Sequence, residues 1–116
     1  MDLAHRSDEE ILAVVEPMMN NLMNASTVID HERHVRDFTE RLKRIVTKEY
    51  LHRVCETYQK EKGYFGSREV VAIFRRPDSL IVTWRQSFTK QPGEFMAELI
   101  LMQGDAGYLI DHVCVL

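Results

Sequence analysis

Nowhere in the 116 residues is there an apolar run near the roughly eighteen that a membrane-spanning helix needs, which excludes a membrane-inserted protein. Cysteine is scarce. Cys55 and Cys114 lie far apart, each inside an apolar pattern, and read as small core residues kept as reduced thiols rather than as a C-x-x-C redox or zinc pair. Positive charge is not in excess either: fifteen Lys and Arg face eighteen Asp and Glu, a net charge of −3, which leaves no bulk electrostatic grip on nucleic acid or an anionic membrane. Residues 1–10 lack the basic start and apolar stretch of a secretory signal and are too acidic for a transit peptide, so a cytoplasmic location is expected. There is no low-complexity linker and no internal repeat, and one domain over residues 1–116 is expected.

What is present is a balance of 45% hydrophobic and 28% charged residues, suited to a chain that folds around one core. At this length folding removes about two thirds of the unfolded surface from water, enough to stand without disulfides or a structural metal.

The first half of the chain carries helical periodicity. Ser7 and Glu10 form a capping box, after which Ile11, Leu12, Val14, Val15, Met18, Met19, Leu22 and Met23 make a wide apolar face over residues 8–24. Pro17 lies inside it, where a kink is expected. Asp30 can cap a second helix over 31–46, with Val35, Phe38, Leu42 and Ile45 on one stripe. Thr47 can cap a third over 48–62, with Tyr50 or Leu51, Val54, Cys55 and Tyr58 inward and Gly63 as its stop.

From Glu69 the period falls to two and β-branched and aromatic residues become frequent. Strands are predicted at 68–75, 80–88, 95–102 and 108–115, joined by short Pro-, Gly- and Asp-bearing links that permit only antiparallel neighbours. The predicted fold is α+β: three helices, then a curved four-stranded antiparallel meander with one face covered by the helices.

The run from Asp37 to Leu51, followed by Gly63-Tyr64-Phe65 and the strands, resembles the small nuclear transport factor 2-like domains, which share a cystatin-like cone. Phe38, Leu42, Lys43, Thr47, Glu49 and Gly63 carry the resemblance, which spans nearly the whole chain. It implies a cone, in which a cavity is expected between the first helix and the sheet. Because the family includes isomerase-like and dehydratase-like enzymes as well as binding modules, it leaves the reaction class open.

Among candidate site residues, Asp111 and His112 could form an orienting carboxylate and a general base. Neighbours on a strand point to opposite faces, so both enter one cavity only through a bulge; strict alternation groups Ile110, His112 and Cys114 against Leu109, Asp111, Val113 and Val115. Locally hydrogen-bonded polar residues are the simpler reading. His31 and His34 have a spacing that could place two imidazoles on one helical face, but a third ligand is not evident, and no metal site is assigned. The basic residues from Arg33 to Arg53 are interleaved with Glu32, Asp37, Glu40 and Glu49, which reads as a mixed helix surface.

Trp84 could line an apolar pocket with Tyr50, Tyr58 and Phe74. Arg75, Arg85 and Gln86 could receive an anion or pair with Glu98 across the sheet. The methionines are gap-filling core residues first. The expectation is a non-catalytic domain that binds a small apolar ligand or another protein, needing no cofactor and pairing with a second copy through the exposed sheet face. The alternatives are a small cofactor-independent enzyme using Asp111 or His112, and a purely structural partner for another protein.

Overall fold

The computed structural model describes residues 3–105 and 107–116; Ala106, placed by the sequence reading in the last hairpin link, and Met1 and Asp2, part of the segment read for a leader, lie outside the described residues. Among the described residues, a short 3-10 turn at Leu3–His5 precedes α1 (Asp8–Val28), α2 (His31–His34), α3 (Glu40–Ile45) and α4 (Lys48–Lys62). Then come β1 (Phe65–Arg75), β2 (Ser79–Phe88), β3 (Phe95–Gly104) and β4 (Gly107–Val115).

The capping box at α1 forms as predicted: Ser7 Oγ accepts from the Glu10 amide, and Glu10 Oε1 accepts from the Ser7 amide, both at 3.2 Å. The helix runs continuously through Pro17 and reaches Val28, four residues past the predicted end. The extension has a physical reason. Ala25 and Ser26 are buried against the rest of the fold, and Thr27 Oγ1 donates back to the Met23 carbonyl at 2.9 Å, so residues that usually compete with a helix here serve it. Ile29, at φ 54°, ends the helix in the left-handed conformation.

The predicted second helix is in fact two. Asp30 caps α2 by accepting from the Arg33 amide, but after His34 the chain leaves helical geometry and pairs with the sheet. Phe38 makes a parallel bridge to Ile110: the Thr39 amide donates to the Ile110 carbonyl at 2.9 Å, and the Ile110 amide donates to the Asp37 carbonyl at 2.7 Å. Thr39 then caps α3 through the Leu42 amide. Thr47 caps α4 as predicted, and Gly63 ends it at φ 86°. Gly63 is required there. A Cβ at this position would stand 2.5 Å from Thr89 Oγ1 and 2.8 Å from Lys90 Cβ.

The four strands form an antiparallel meander in the order β1-β2-β3-β4, as predicted, although β1 begins three residues earlier, at Phe65. Leu80, Val82, Trp84 and Gln86 of β2 and Ala97, Leu99 and Leu101 of β3 point to the helical side. There they meet Ile11, Val15, Met19 and Leu22 of α1 in one core. Burial of this helix-facing surface, at about 25 cal/mol per Å² of apolar area, is the main force holding the layers together.

The register breaks once in β4, between Ile100/His112 and Leu101/Ile110, so Asp111 is an extra, bulged residue. Strict alternation therefore fails here. Ile110 pairs with buried Leu101, whereas His112 and Cys114 pair with Ile100 and Glu98 on the outer face, and Val113 and Val115 turn inward opposite Leu99 and Ala97. The predicted grouping of Ile110 with His112 and Cys114 is corrected accordingly.

Candidate functional site

The cavity is not between the first helix and the sheet, as expected: Ile11, Val15 and Met19 of α1 close tightly on the sheet, and a cavity of about 570 Å³ opens instead toward β4 and the β1 start, between α4, α3 and the sheet. Its sheet side is a row of aromatic rings at the strand ends. Phe65 and Phe88, directly paired across β1 and β2, have ring centroids 5.3 Å apart; Phe88 meets Phe95 edge-to-face at 5.0 Å, and Tyr58 of α4 stacks on Phe65 at 5.0 Å. Such offset and edge contacts fix ring orientation. Leu51, Val54, Val113 and Val115 complete the apolar wall.

Two polar features face this space. In the first, Ser26 Oγ shares hydrogen bonds with Tyr58 Oη at 2.7 Å and Cys55 Sγ at 3.2 Å, while Gln59 Nε2 donates to the Ser26 and Thr27 carbonyls. Burial pushes the Cys55 thiol and the Tyr58 phenol up from their ordinary ranges, so both stay neutral. The second is His34. It is 8% exposed, its ring lies edge-on to Phe38 at 5.4 Å, and its Nδ1 has no hydrogen-bond partner. Burial, aided by His31, lowers its pKa to about 4, so at neutral pH the cavity holds an uncharged imidazole. Arg41 and Lys62 supply positive charge to the lining, Lys62 Nζ lying 5.9 Å from the Phe95 ring centroid.

Of the four residues expected to line a pocket, Tyr50 and Tyr58 do so and Trp84 and Phe74 do not. Trp84 is on the correct face but at the packed end, where Nε1 donates to Glu16 Oε1 at 2.6 Å and the Arg68 guanidinium sits 5.5 Å from the ring. Phe74 pairs with Ile81 on the outer face and is 54% exposed. Asp111 does not line the cavity. It accepts from Thr39 Oγ1 at 2.8 Å and Arg41 Nε at 3.1 Å, and Arg41 also donates to its carbonyl, so the carboxylate ties the start of α3 to β4. Hydrogen bonding from Arg41 leads in holding its carboxyl below the usual carboxylate range.

His112 belongs to the β4 wall, but its Nε2 is engaged with Glu98 Oε1 at 3.1 Å rather than with Asp111. Cys114 Sγ donates to the same oxygen at 3.3 Å, and burial followed by that carboxylate raises its thiol to about 11. His31 and His34 do not form a pair: His31 Nε2 bonds to the Val46 carbonyl at 2.8 Å, and His34 turns inward.

Glu98 is not the partner of Arg85, Arg75 or Gln86. The register sets Thr83 opposite Glu98; Arg85 instead pairs with Glu69 at 2.5 Å and Glu94 at 2.9 Å. Arg75 reaches Asp8 at 2.6 Å, and Gln86 is fully buried, donating to the Gly66, Ser67 and Ser87 carbonyls. The interleaved charges pair as expected, Lys43 with Glu40 on α3 and Arg36 with Asp37 in the turn between α2 and α3. Sequence reasoning overlooked His34 as a cavity residue and the Phe65–Phe88–Phe95 row. A signal existed for the rings, since all three stand at strand starts or ends.

No helix among the described residues is long and apolar enough to cross a membrane. No family model matches the sequence, and no curated protein matches it. Solved structures do share its shape. Bd1075 of Bdellovibrio bacteriovorus is 14% identical with a TM-score of 0.55, over 94% of this chain but 42% of its own, so the chain spans less than half of that protein. A DUF4783 family protein from Bacteroides ovatus is 16% identical with a TM-score of 0.50, over 82% of this chain and 90% of its own. A domain of unknown function with a cystatin-like fold from Nostoc punctiforme is 11% identical with a TM-score of 0.57, over 95% of this chain and 78% of its own. At such identities the likeness concerns fold alone: the chain has an α+β architecture of helices followed by a curved antiparallel sheet, like that cystatin-like domain.

Proposed function

We propose that the chain is a non-catalytic, nuclear transport factor 2-like domain that binds a small apolar molecule containing a ring, in the cavity between α4 and the sheet. The carrying observation is the pairing of an aromatic wall, Phe65, Phe88, Phe95 and Tyr58, with one buried, unpartnered imidazole at His34. A volume of about 570 Å³ suits a small-molecule ligand, and such pockets are mostly apolar with a few polar groups that fix orientation. His34 would hydrogen-bond a neutral polar group on the ligand, because burial disfavours its charged form. The family reading is supported by Phe38, Leu42, Lys43, Thr47, Glu49 and Gly63, together with the cystatin-like neighbour. A cytoplasmic location is supported by the two free cysteines.

The test is titration of the folded protein with anilinonaphthalene sulfonate as an apolar ring probe. Saturable fluorescence gain is expected, abolished by Val113→Trp, which fills the cavity from β4, and unchanged by Phe74→Ala on the outer face. Equal gain in all three proteins would sink the reading.

Pairing of two copies through the outer sheet face is a second element of the proposal. Val71, Phe74 and Met96 are exposed there, at 57%, 54% and 41%, and Ile81 and Ile100 continue the row that Phe74 begins in paired register. Sedimentation of the wild type and of Phe74→Lys tests it: a dimer that the variant converts to monomer is expected, and a wild-type monomer at high concentration overturns it.

A further inference from the structure

At the β3–β4 edge the outer face of the sheet holds a cluster whose polar side-chain atoms bond to one another. Glu98 of β3 stands directly opposite Cys114 of β4, and His112 lies two residues before Cys114 on the same face. One ligating atom from each, a carboxylate oxygen, the imidazole nitrogen and the thiol sulfur, falls within 4.8 Å of the others, and all three residues are half-buried. The Asp111 bulge creates this arrangement. Without the extra residue, His112 and Cys114 would keep Ile110's phase and point into the core, on the opposite side from Glu98.

We propose that Glu98, His112 and Cys114 form a three-ligand site for a zinc-class divalent ion, with water in the fourth position. Oxygen, nitrogen and sulfur donors in one set suit zinc better than magnesium or calcium, which take oxygen alone. Spacing gives the second argument. Metal–ligand bonds of about 2.0–2.3 Å in a tetrahedron place neighbouring donor atoms roughly 3.3–3.7 Å apart. The donors already approach those edges: His112 Nε2 is 3.1 Å from Glu98 Oε1, and Cys114 Sγ is 3.3 Å from the same atom. An ion would replace the hydrogen atoms that now join them, and the third edge, from His112 Nε2 to Cys114 Sγ, lies within 4.8 Å.

The site sits on two paired strands rather than on a loop, so its three donors are held by the ladder. Metal binding here would fasten β4 to β3 beside the cavity wall that His112, Val113 and Cys114 help to build. It does not depend on the cavity having a ligand.

The experiment is titration of the reduced, full-length protein with Co²⁺ and then Zn²⁺. One equivalent of Co²⁺ should give tetrahedral visible bands and a near-ultraviolet sulfur-to-cobalt absorption, both displaced by Zn²⁺. Cys55→Ser should keep that absorption. Cys114→Ser should remove it and weaken Zn²⁺ binding by about 100-fold or more, beyond what loss of a merely supporting group does. Glu98→Gln and His112→Asn should weaken binding in the same direction. Absence of the sulfur absorption in the wild type overturns the proposal, as does its loss in Cys55→Ser or its survival in Cys114→Ser. Zn²⁺ binding abolished by His52→Ala would assign it to the exposed His52–Glu56 pair instead and overturn it equally. Should Cys114→Ser fail to fold, the wild-type and Cys55→Ser spectra still decide.

Discussion

The two ends of the helix–sheet interface are built from the same alternation and end in opposite states. Under α1, Val82, Trp84, Leu99 and Leu101 meet Ile11, Val15 and Met19 with nearly no exposed surface. Under α4, Phe65, Phe88 and Phe95 line a cavity, reached from the helix by the ring of Tyr58. Apolar strand residues line both ends; what differs is which helix covers them. α1 lies across the sheet, whereas α4 is hung from Gly63 on one side and from the Asp111–Arg41 tie of α3 on the other. Apolar strand residues therefore do not by themselves decide whether a core is filled.

The contrast can be broken most severely at the packed end. Trp84→Ala should cost about 3–5 kcal/mol in urea unfolding, because it opens a void and removes the indole that donates to Glu16 and lies against Arg68, leaving those two only their own ion pair at 3.3 Å. Probe binding at the far cavity should survive in whatever fraction stays folded.

Acid tests the open end. A folded-state pKa of about 4 for His34, against an unfolded value near 6.5, means that the unfolded chain takes up the proton first as pH falls. Stability should be complete above about pH 6.5 and decline toward pH 4, by up to about 3 kcal/mol. His34→Leu should flatten that stretch of the profile in unfolding series run at successive pH values. An unchanged slope would show that His34 is not the titrating group.

A smaller effect sharpens the comparison further. Phe88→Ala should cost about 1–2 kcal/mol, less than a closed-core phenylalanine, since part of its ring faces space rather than neighbours. It should also weaken probe binding, separating wall from core in one variant. Least of all, Asp111→Asn should cost about 1 kcal/mol by weakening the tie to Arg41 and Thr39. Melting temperature should fall slightly with the cavity still able to bind its probe.

The elements that could be read from sequence were those whose signals are local. Ser7 with Glu10, Thr47 and Gly63 mark helix ends through atoms a few residues away, and the period-two runs of β2 and β3 assign Leu80, Val82 and Trp84 to one face correctly. What escaped depends on contacts distant in the chain. The break after His34 follows from pairing of residues 37–39 with Ile110, more than seventy positions on, while the periodic stripe of Val35, Phe38, Leu42 and Ile45 still looks helical. The same pairing sits beside the Asp111 bulge, which reverses the phase of β4 and so moves His112 and Cys114 to the other side of the sheet. Trp84 and Phe88 illustrate the limit within one strand. Both face inward, but only the position of α4 makes one of them core and the other wall.

The bridge at Phe38 has one more consequence. Both margins of the sheet are irregular: β1 carries two register shifts, and β4 is bulged and partly occupied by residues 37–39. An incoming strand would find an interrupted ladder on either side, which disfavours edge-on polymerisation. Association through these margins would lack a straight main-chain ladder on which to build.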